Sequence, residues 1–241
     1  MKRLLTQVVS VTLLFCAIAF LSTAQVMQVV YEESTLQSEE ALKDLEPWMR
    51  KIMEERESSH RWQLLYHQGI SLYKAEQKSE VSETINQFYE KYQVYYDMLQ
   101  GEVVKVSPML NADYLVSIPA EEMTPRWQLS DEHKQIGNYQ CQRARMVRED
   151  SVVVFAWYTP AIPVQSGPNM YFGLPGLILQ IERKNLNTTT TITALSVTYQ
   201  DDTAMIPARP DTGKPIDYAA FQKISEKHLN SVQLLADPFD N

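Results

Sequence analysis

The chain from residue 94 to residue 199 alternates apolar and polar residues over short stretches, which is the pattern of half-buried β-strands. Short turn-forming stretches separate these segments, including loops at 107–113, 148–150 and 184–187. Strands joined by such short turns pair antiparallel, since parallel pairing requires a long crossover. The pattern predicts an antiparallel meander with strands at 94–99, 102–106, 114–118, 126–129, 139–147, 151–159, 177–183 and 189–199.

Helical spacing of apolar residues is confined to regions near the two ends of the chain. Residues 38–57 carry this spacing, interrupted by Pro47, and residues 75–91 carry it weakly. A C-terminal helix is predicted at about 217–235, capped by Asp217 and with Phe221 on its apolar stripe. Residues 26–37 and 61–74 read as two further strands.

The predicted fold class is therefore α+β, mainly antiparallel β. It consists of a meandering sheet, able to curl as an open half-barrel, packed with N- and C-terminal helices. No linker or repeat divides the chain, so residues 25–241 are predicted to form a single globular domain with a strand-rich core at about 94–199.

The first 24 residues have the pattern of a cleaved signal peptide. Lys2 and Arg3 precede an apolar stretch, and small residues end at Ala24. Cleavage there would change the net charge from −8 to −10 and leave no transmembrane segment. The acidic balance argues against nucleic acid and anionic membrane surfaces as partners.

The chain has two cysteines, of which one is expected to remain in the mature protein. Cys16 would leave with the signal peptide, so Cys141 is the remaining cysteine and no internal disulfide can form. Free cysteine is among the most buried residue types, which favours a structural role over a reactive thiol. The alternative is a thiol-dependent enzyme that uses Cys141.

No catalytic or cofactor-binding motif was found. The sequence has no nucleophile elbow, phosphate loop or dinucleotide-binding glycine pattern. His60 and His67 are seven residues apart, which suits neither one helical turn nor one strand face. We predict no catalytic residues, no metal site and no cofactor.

Residues 160–176 form the most unusual stretch, with four prolines and three glycines. Long, stiff loops of this kind are often binding loops. The favoured interpretation is that the large side chains in and beside it cover the open end of the sheet as core. The functional alternative is a surface for an apolar ligand or partner, made of Trp157, Tyr158, Met170, Tyr171, Phe172 and Leu174.

The stretch ends in a turn signal followed by a strand. Pro175 and Gly176 suit the central positions of a type II turn, in which glycine supplies the positive φ. The predicted motif turn comprises Gly173, Leu174, Pro175, Gly176, Leu177 and Ile178.

These six residues match the signature of the GLPGLI family of exported Bacteroidetes-type proteins, and other elements between residues 136 and 181 resemble the family as well. They are Tyr139–Ala144, with a tyrosine-x-cysteine pattern, then 157–160, 162–163 and 167–168. The resemblance implies export from a gram-negative cell and an unassigned function, with no catalytic residues to carry over. A weaker, fold-level resemblance is to periplasmic lipoprotein carriers, whose half-barrels hold acyl chains.

The leading hypothesis is an exported protein of the periplasm or cell envelope that binds without catalysis. Its partner is expected to be an outer-membrane or periplasmic protein, or a hydrophobic small molecule. The alternatives are the thiol enzyme and a structural envelope component.

Overall fold

The computed structural model describes residues 25–37, 42–43, 46–47, 50, 60–76, 89–109, 112–147, 152–184 and 188–236, with side chains through Lys227. The predicted signal peptide lies outside the described residues, as do most of the helical segments predicted at 38–57 and 75–91.

The described strands form a mostly antiparallel, open sheet. It has 12 strands in the order β12-β6-β5-β4-β3-β2-β1-β11-β10-β9-β8-β7. Their bounds are Val26–Gln37 (β1), His60–His67 (β2), Ile70–Ala75 (β3), Gln93–Asp97 (β4), Glu102–Met109 (β5), Ala112–Pro119 (β6), Gln128–Ile136 (β7), Tyr139–Val147 (β8), Val153–Thr159 (β9), Leu177–Lys184 (β10), Thr188–Gln200 (β11) and Lys214–Asp217 (β12).

The sheet consists of two meanders joined at its centre. Strands β1 to β6 and β7 to β11 each pair in chain order, but the single meander predicted over 94–199 is interrupted, because β6 and β7 lie towards opposite edges of the sheet. The junction is the ladder between β1 and β11, whose register runs from Val26 opposite Gln200 to Gln37 opposite Thr188. One strand departs from the prediction, because β12 pairs parallel with β6 after the long connection from β11.

Three strand boundaries also differ from the prediction. The single strand expected at 61–74 is a hairpin, in which Gln68 and Gly69 both have positive φ and form the turn between β2 and β3. The loop expected at 107–113 instead contains the ends of β5 and β6, which pair from Ser107 to Met109. Strand β7 was expected only at 126–129 but continues to Ile136 as an exposed edge.

The sheet is strongly curled. On a flat sheet the eight spacings between β4 and β7 would separate these strands by about 38 Å. Phe172 contacts both regions: its ring stacks on Tyr96 of β4 with centroids 4.2 Å apart, and its carbonyl oxygen accepts a hydrogen bond from Trp127 Nε1 at 2.9 Å. Trp127 directly precedes β7, so the sheet bends around Phe172 and has a concave face.

The main core fills this concave face. Inward side chains of β1, β2, β9 and β10, such as Val29, Leu64, Ala156 and Ile181, are almost fully buried. A smaller cluster lies on the other face of β3 to β6 and includes Tyr95 and Val104. The connection from β11 to β12 reaches this side, where Arg209 pairs with Glu102 at 2.8 Å.

The described helices are few. Helix α1 spans Ala120–Met123 and helix α2 spans Tyr218–Ala236. The predicted cap is confirmed, because Ala220 N donates to Asp217 Oδ1 at 2.8 Å. Phe221 is buried and meets the Tyr114 ring edge-on, which seats the first turns of α2 against β6.

Candidate functional site

Residues 160–176, here called the plug segment, lie across the concave face. The segment leaves β9 after Thr159 and rejoins the sheet at Leu177. Its backbone pairs with the start of β10, where Leu177 N donates to Ile162 O at 2.9 Å and Ile178 N donates to Ser166 O at 3.0 Å. The sheet therefore encloses a segment of its own chain.

Two buried tyrosines, Tyr31 in β1 and Tyr92 directly before β4, hold the start of β10 and the plug segment. Tyr92 donates a hydrogen bond to Asn169 Oδ1 at 2.8 Å, and Tyr31 donates to Ile178 O at 2.7 Å. Asn169 has φ of +57°, a conformation that asparagine tolerates better than most residues. Burial raises the pKa of both phenols, so both remain hydrogen-bond donors at neutral pH.

The six residues predicted as a candidate surface do not form one surface. Tyr158, Tyr171, Phe172 and Leu174 are buried in the core. Trp157 and Met170 are half-buried, and Trp157 lies on the opposite face of β9 from Tyr158 because neighbouring strand residues point to opposite sides. The arrangement matches the favoured interpretation of these side chains as core.

The motif turn differs from the predicted type II geometry. Gly176 N donates to Leu174 O at 2.8 Å, which makes a three-residue γ-turn centred on Pro175. The residue with a left-handed backbone conformation is Gly173, whose φ is +86°, whereas the prediction gave this role to Gly176. Gly176 is required for another reason, since a Cβ at this position would lie 2.2 Å from Thr159 O.

On the convex face, Trp157 is flanked by two cations. Lys134 Nζ lies 4.3 Å from the centre of its ring, and the Arg143 guanidinium lies 5.7 Å from it. Arg143 also pairs with Glu132 at 2.6 Å, and Lys134 bonds to Gln180. Burial lowers the pKa of Lys134. Most of these polar groups bond to one another, although the buried Nε of Arg143 has no hydrogen-bond partner among the described residues.

The structure confirms that Cys141 is buried, with no exposed surface. Its Sγ lies 3.6 Å from Tyr139 O. Burial raises the pKa of the thiol to about 11, and the nearby Lys134 charge offsets only part of this effect. Both properties disfavour the thiolate that a cysteine nucleophile requires.

A small cleft of mixed polarity, here called the Tyr199 cleft, opens beside the start of the plug segment. Its volume is about 260 Å³. Tyr199 is 54% exposed, and the phenol of Tyr139 lies near enough to contribute to the raised pKa of Tyr199, whose main cause is burial. The lining residues are Gln25, Met27, Tyr66, His67, Gln68, Ala161, Ile162, Pro163, Val164 and Tyr199.

A charged and aromatic cluster at the other end of the concave face was missed by the sequence analysis. Burial raises the pKa of Glu33, while Trp62 and the Arg183 charge partly offset the effect. Trp62 stacks on Tyr73 with centroids 5.0 Å apart, and the hydroxyl of Tyr73 has no hydrogen-bond partner among the described residues. The sequence does contain a signal for this cluster. Glu33 follows Val29 and Tyr31 at every second position of β1, so it lies on the same inward face of the strand.

Acidic and imidazole groups do not assemble into a metal site among the described residues. A cleft of about 540 Å³ between β6 and α2 includes Glu102, Glu122 and Asp217 in its lining, but Glu102 is paired with Arg209 and Asp217 caps α2. His67 bonds to Gln25 O at 3.3 Å and His133 to Asp131 O at 2.8 Å. Within the described part of the chain, no helix has the length and apolarity needed to cross a membrane.

Comparison with known families gives one short match. Residues 147–180, which include β9, the plug segment and the motif turn, match the family model described as "Protein of unknown function (Porph_ging)". No curated protein sequence matches the chain.

Solved structures show a wider likeness in fold. Two crystal forms of PNGF-II superpose with TM-scores of 0.54 and 0.56 at 16% identity, over 83% and 85% of this chain. This chain spans only about one third (33%) of the PNGF-II chain. An uncharacterised conserved protein from Thermus thermophilus superposes with a TM-score of 0.42 at 6% identity, over 86% of this chain and 99% of its own. The likeness to PNGF-II is one of fold alone.

Proposed function

We propose that this is an exported, non-catalytic binding protein of the cell envelope, and that the Tyr199 cleft contacts a protein partner. The observation that supports this most directly is the filling of the concave face by the plug segment. A carrier of acyl chains would need that space for its ligand. Here Phe172 occupies it, with only 4% of its surface exposed.

The size of the Tyr199 cleft favours a protein partner over a small apolar ligand. Pockets for drug-sized ligands measure about 300–1,000 Å³ and enclose most of the ligand. A cleft of about 260 Å³ suits one large side chain of a partner. Tyr199, with its apolar ring and polar hydroxyl, is of a residue type enriched at protein interfaces.

The absence of catalysis is supported by the state of Cys141. A nucleophilic cysteine lies in an accessible, electropositive site with a lowered pKa. Cys141 is inaccessible and its pKa is raised despite the nearby Lys134 charge, so the thiol-enzyme alternative loses its candidate nucleophile.

The proposed location is the periplasm or cell envelope of a Bacteroidetes-type cell. It is supported by the signal-peptide pattern of residues 1–24 and by the GLPGLI resemblance of residues 173–178. The open, curled sheet is compatible with the proposed half-barrel architecture.

Photo-crosslinking in the cells that produce the protein tests the proposal. A benzophenone amino acid replaces Tyr199 in one strain and Leu129 in a control strain. Leu129 is a matched control because its exposed fraction, 56%, is close to that of Tyr199, and it lies on the edge strand β7 away from the Tyr199 cleft. We expect a discrete crosslinked protein from position 199 that is absent from position 129 and weakened by Tyr66→Ala.

Equal crosslinking at the two positions, or crosslinks from position 199 to lipid alone, would contradict the proposal. Titration with a fluorescent fatty acid supplies the second readout. Saturable binding that Tyr199→Ala abolishes would favour an apolar ligand instead.

A further inference from the structure

Strand β11 has an unpaired backbone edge inside the sheet. Along its whole length it pairs with β1, from Thr188 to Gln200. On its other side it pairs with β10 only from Thr189 to Thr193. Among the described residues, the edge from 194 to 200 that faces away from β1 therefore has no strand partner.

The regular part of this free edge has the length of a strand. A bulge between Val30 and Tyr31 makes Leu195 the extra residue of β11, and the pairing with β1 is regular again from Ser196 to Gln200. These five positions approach the typical strand length of about five to six residues. In an antiparallel ladder, about half of their N–H and C=O groups point away from β1.

The sequence of β11 does not protect this edge. Proteins usually block exposed edges with charged residues, especially lysine, or with proline. The 13 residues of β11 contain no charged residue, no proline and no glycine, and six of them are threonine, a residue type with high strand propensity. Tyr199 is 54% exposed and Leu195 is 49% exposed. An edge of this composition is suited to pairing.

The neighbouring strands β9 and β10 do not pair with the free edge. Strand β9 ends at Thr159, and β10 begins to pair with β11 only at Gln180. In the sheet order, β10 and β9 lie between β11 and β8. Beyond the ends of these two strands, the start of the plug segment lies between β11 and β8. On the far side, Tyr139 of β8 faces Tyr199 closely enough to contribute to its raised pKa.

We propose that the partner adds one extended segment as a strand along residues 196–200 of β11. The segment completes the ladder by main-chain hydrogen bonds, and one of its apolar side chains enters the Tyr199 cleft. This inference rests on the proposed function for the existence of a partner, and it assigns that partner's binding mode. Strand addition of this type obtains affinity from the backbone and specificity from pockets for alternate side chains.

A single strand fits this site better than the edge of a second copy. The gap is bounded by β11 on one side and by the plug segment and Tyr139 on the other, so a whole sheet edge would meet these neighbours. The free edge is neutral, which suits a segment of apolar and uncharged polar residues.

The protein supplies a test peptide. Residues 26–30 already pair antiparallel with residues 196–200 of β11, so a synthetic peptide of this sequence, VMQVV, is uncharged in its side chains and compatible with that strand. Amide hydrogen exchange resolved by residue is measured on the whole protein with and without the peptide. Without it, we expect fast exchange at alternate residues of 196–200. With it, these amides should slow by at least about tenfold.

Two N-methylated peptides separate backbone pairing from side-chain contact. Methyl groups on one alternate set of peptide nitrogens should abolish the protection, and methyl groups on the other set should leave it unchanged. The exposed substitution Thr198→Lys should weaken the peptide at least about tenfold. Thr212→Lys, at an exposed position of the loop before β12, is the matched control.

Uniform protection of residues 196–200 without peptide would overturn the inference, because the edge would already be paired. Absence of peptide protection, or equal effects of the two N-methylated peptides, would also overturn it. A crosslink from position 199 to a protein, combined with either of these results, would leave the proposed function intact and reject strand addition.

Discussion

The carbonyl oxygen of Thr159 closes off the space beside the α-carbon of Gly176. A Cβ on residue 176 would lie 2.2 Å from this oxygen and 3.0 Å from the α-carbon of Pro160. The two ends of the plug segment are therefore in backbone contact, and that contact requires glycine at position 176. Gly173 differs, because a Cβ there would meet nothing within 4 Å and only its φ of +86° is unfavourable.

These two glycines give a matched pair of substitutions. We expect Gly176→Ala to destabilise the protein by about 3 kcal/mol or more, because backbone must move to admit the methyl group. Gly173→Ala should cost about 1–2 kcal/mol from its left-handed conformation. Urea unfolding of both variants measures the difference. Equal losses would show that conformation, rather than the contact with Thr159, explains both glycines.

Phe172 is expected to support the curled sheet through its buried ring. Phe172→Ala should lower the free energy of unfolding by about 3–5 kcal/mol, since it removes the stack on Tyr96 and leaves a cavity. The folded variant should also bind a hydrophobic fluorescent dye that the native protein does not bind. Met170→Ala, at a half-buried position of the same segment, should have a smaller effect on both readouts. A loss below about 1 kcal/mol for Phe172→Ala would contradict its central role.

Cys141 should react slowly with thiol reagents in the folded protein. With a pKa of about 11, only about one thiol in a thousand is ionised at pH 8, and burial limits access further. The labelling rate should increase as the pH approaches 11. The thiol stays protonated up to a higher pH in the folded protein than in the unfolded chain. The contribution of Cys141 to the free energy of unfolding is therefore lost as pH rises from about 8.5 through 11. Protein unfolded in urea supplies the reference rate, and equally fast native labelling would restore the reactive-thiol interpretation.

Glu33 is expected to make stability depend on pH in the acidic to neutral range. The pKa of Glu33 is higher in the folded protein than in the unfolded chain, where it is about 4.3. Its contribution to the free energy of unfolding is therefore full below about pH 4.3 and is lost as pH rises through the folded-state pKa. Glu33→Gln removes this dependence, so the variant should gain melting temperature relative to the native protein as pH rises above about 4.3. Glu32→Gln, on the opposite face of β1, is the control. The prediction fails if the two variants have the same pH profile.

The sequence predicted the strands whose two faces differ in polarity. Strands β10 and β11 were found because inward residues such as Ile181 and Val197 alternate with polar ones, whereas β9 is a short, continuous apolar and aromatic run. Strand β7 was only partly found, since an edge strand with little burial has no reason to alternate. The hairpin of β2 and β3 was read as one strand because its turn uses Gln68, a residue type that rarely has positive φ.

The candidate site was predicted in part, for a physical reason. Composition identified the plug segment, since its prolines and glycines are visible in the sequence. Its position inside the sheet depends on contacts of Phe172 with Tyr96 and Trp127, which no local pattern encodes. The free edge of β11 was invisible for the same reason, because it follows from where the neighbouring strands β9 and β10 end.

The junction of the two meanders has a consequence for the order of folding. Strands β1 to β6 can pair as soon as they are made, since each follows its neighbour in the chain. The partner of β1 on its other side begins only at Thr188, so the N-terminal meander, complete at Pro119, must wait with an open edge until the chain has been synthesised as far as Thr188. Ladders that close over such a distance form slowly. The nascent protein is therefore expected to need a holding chaperone until β11 is available.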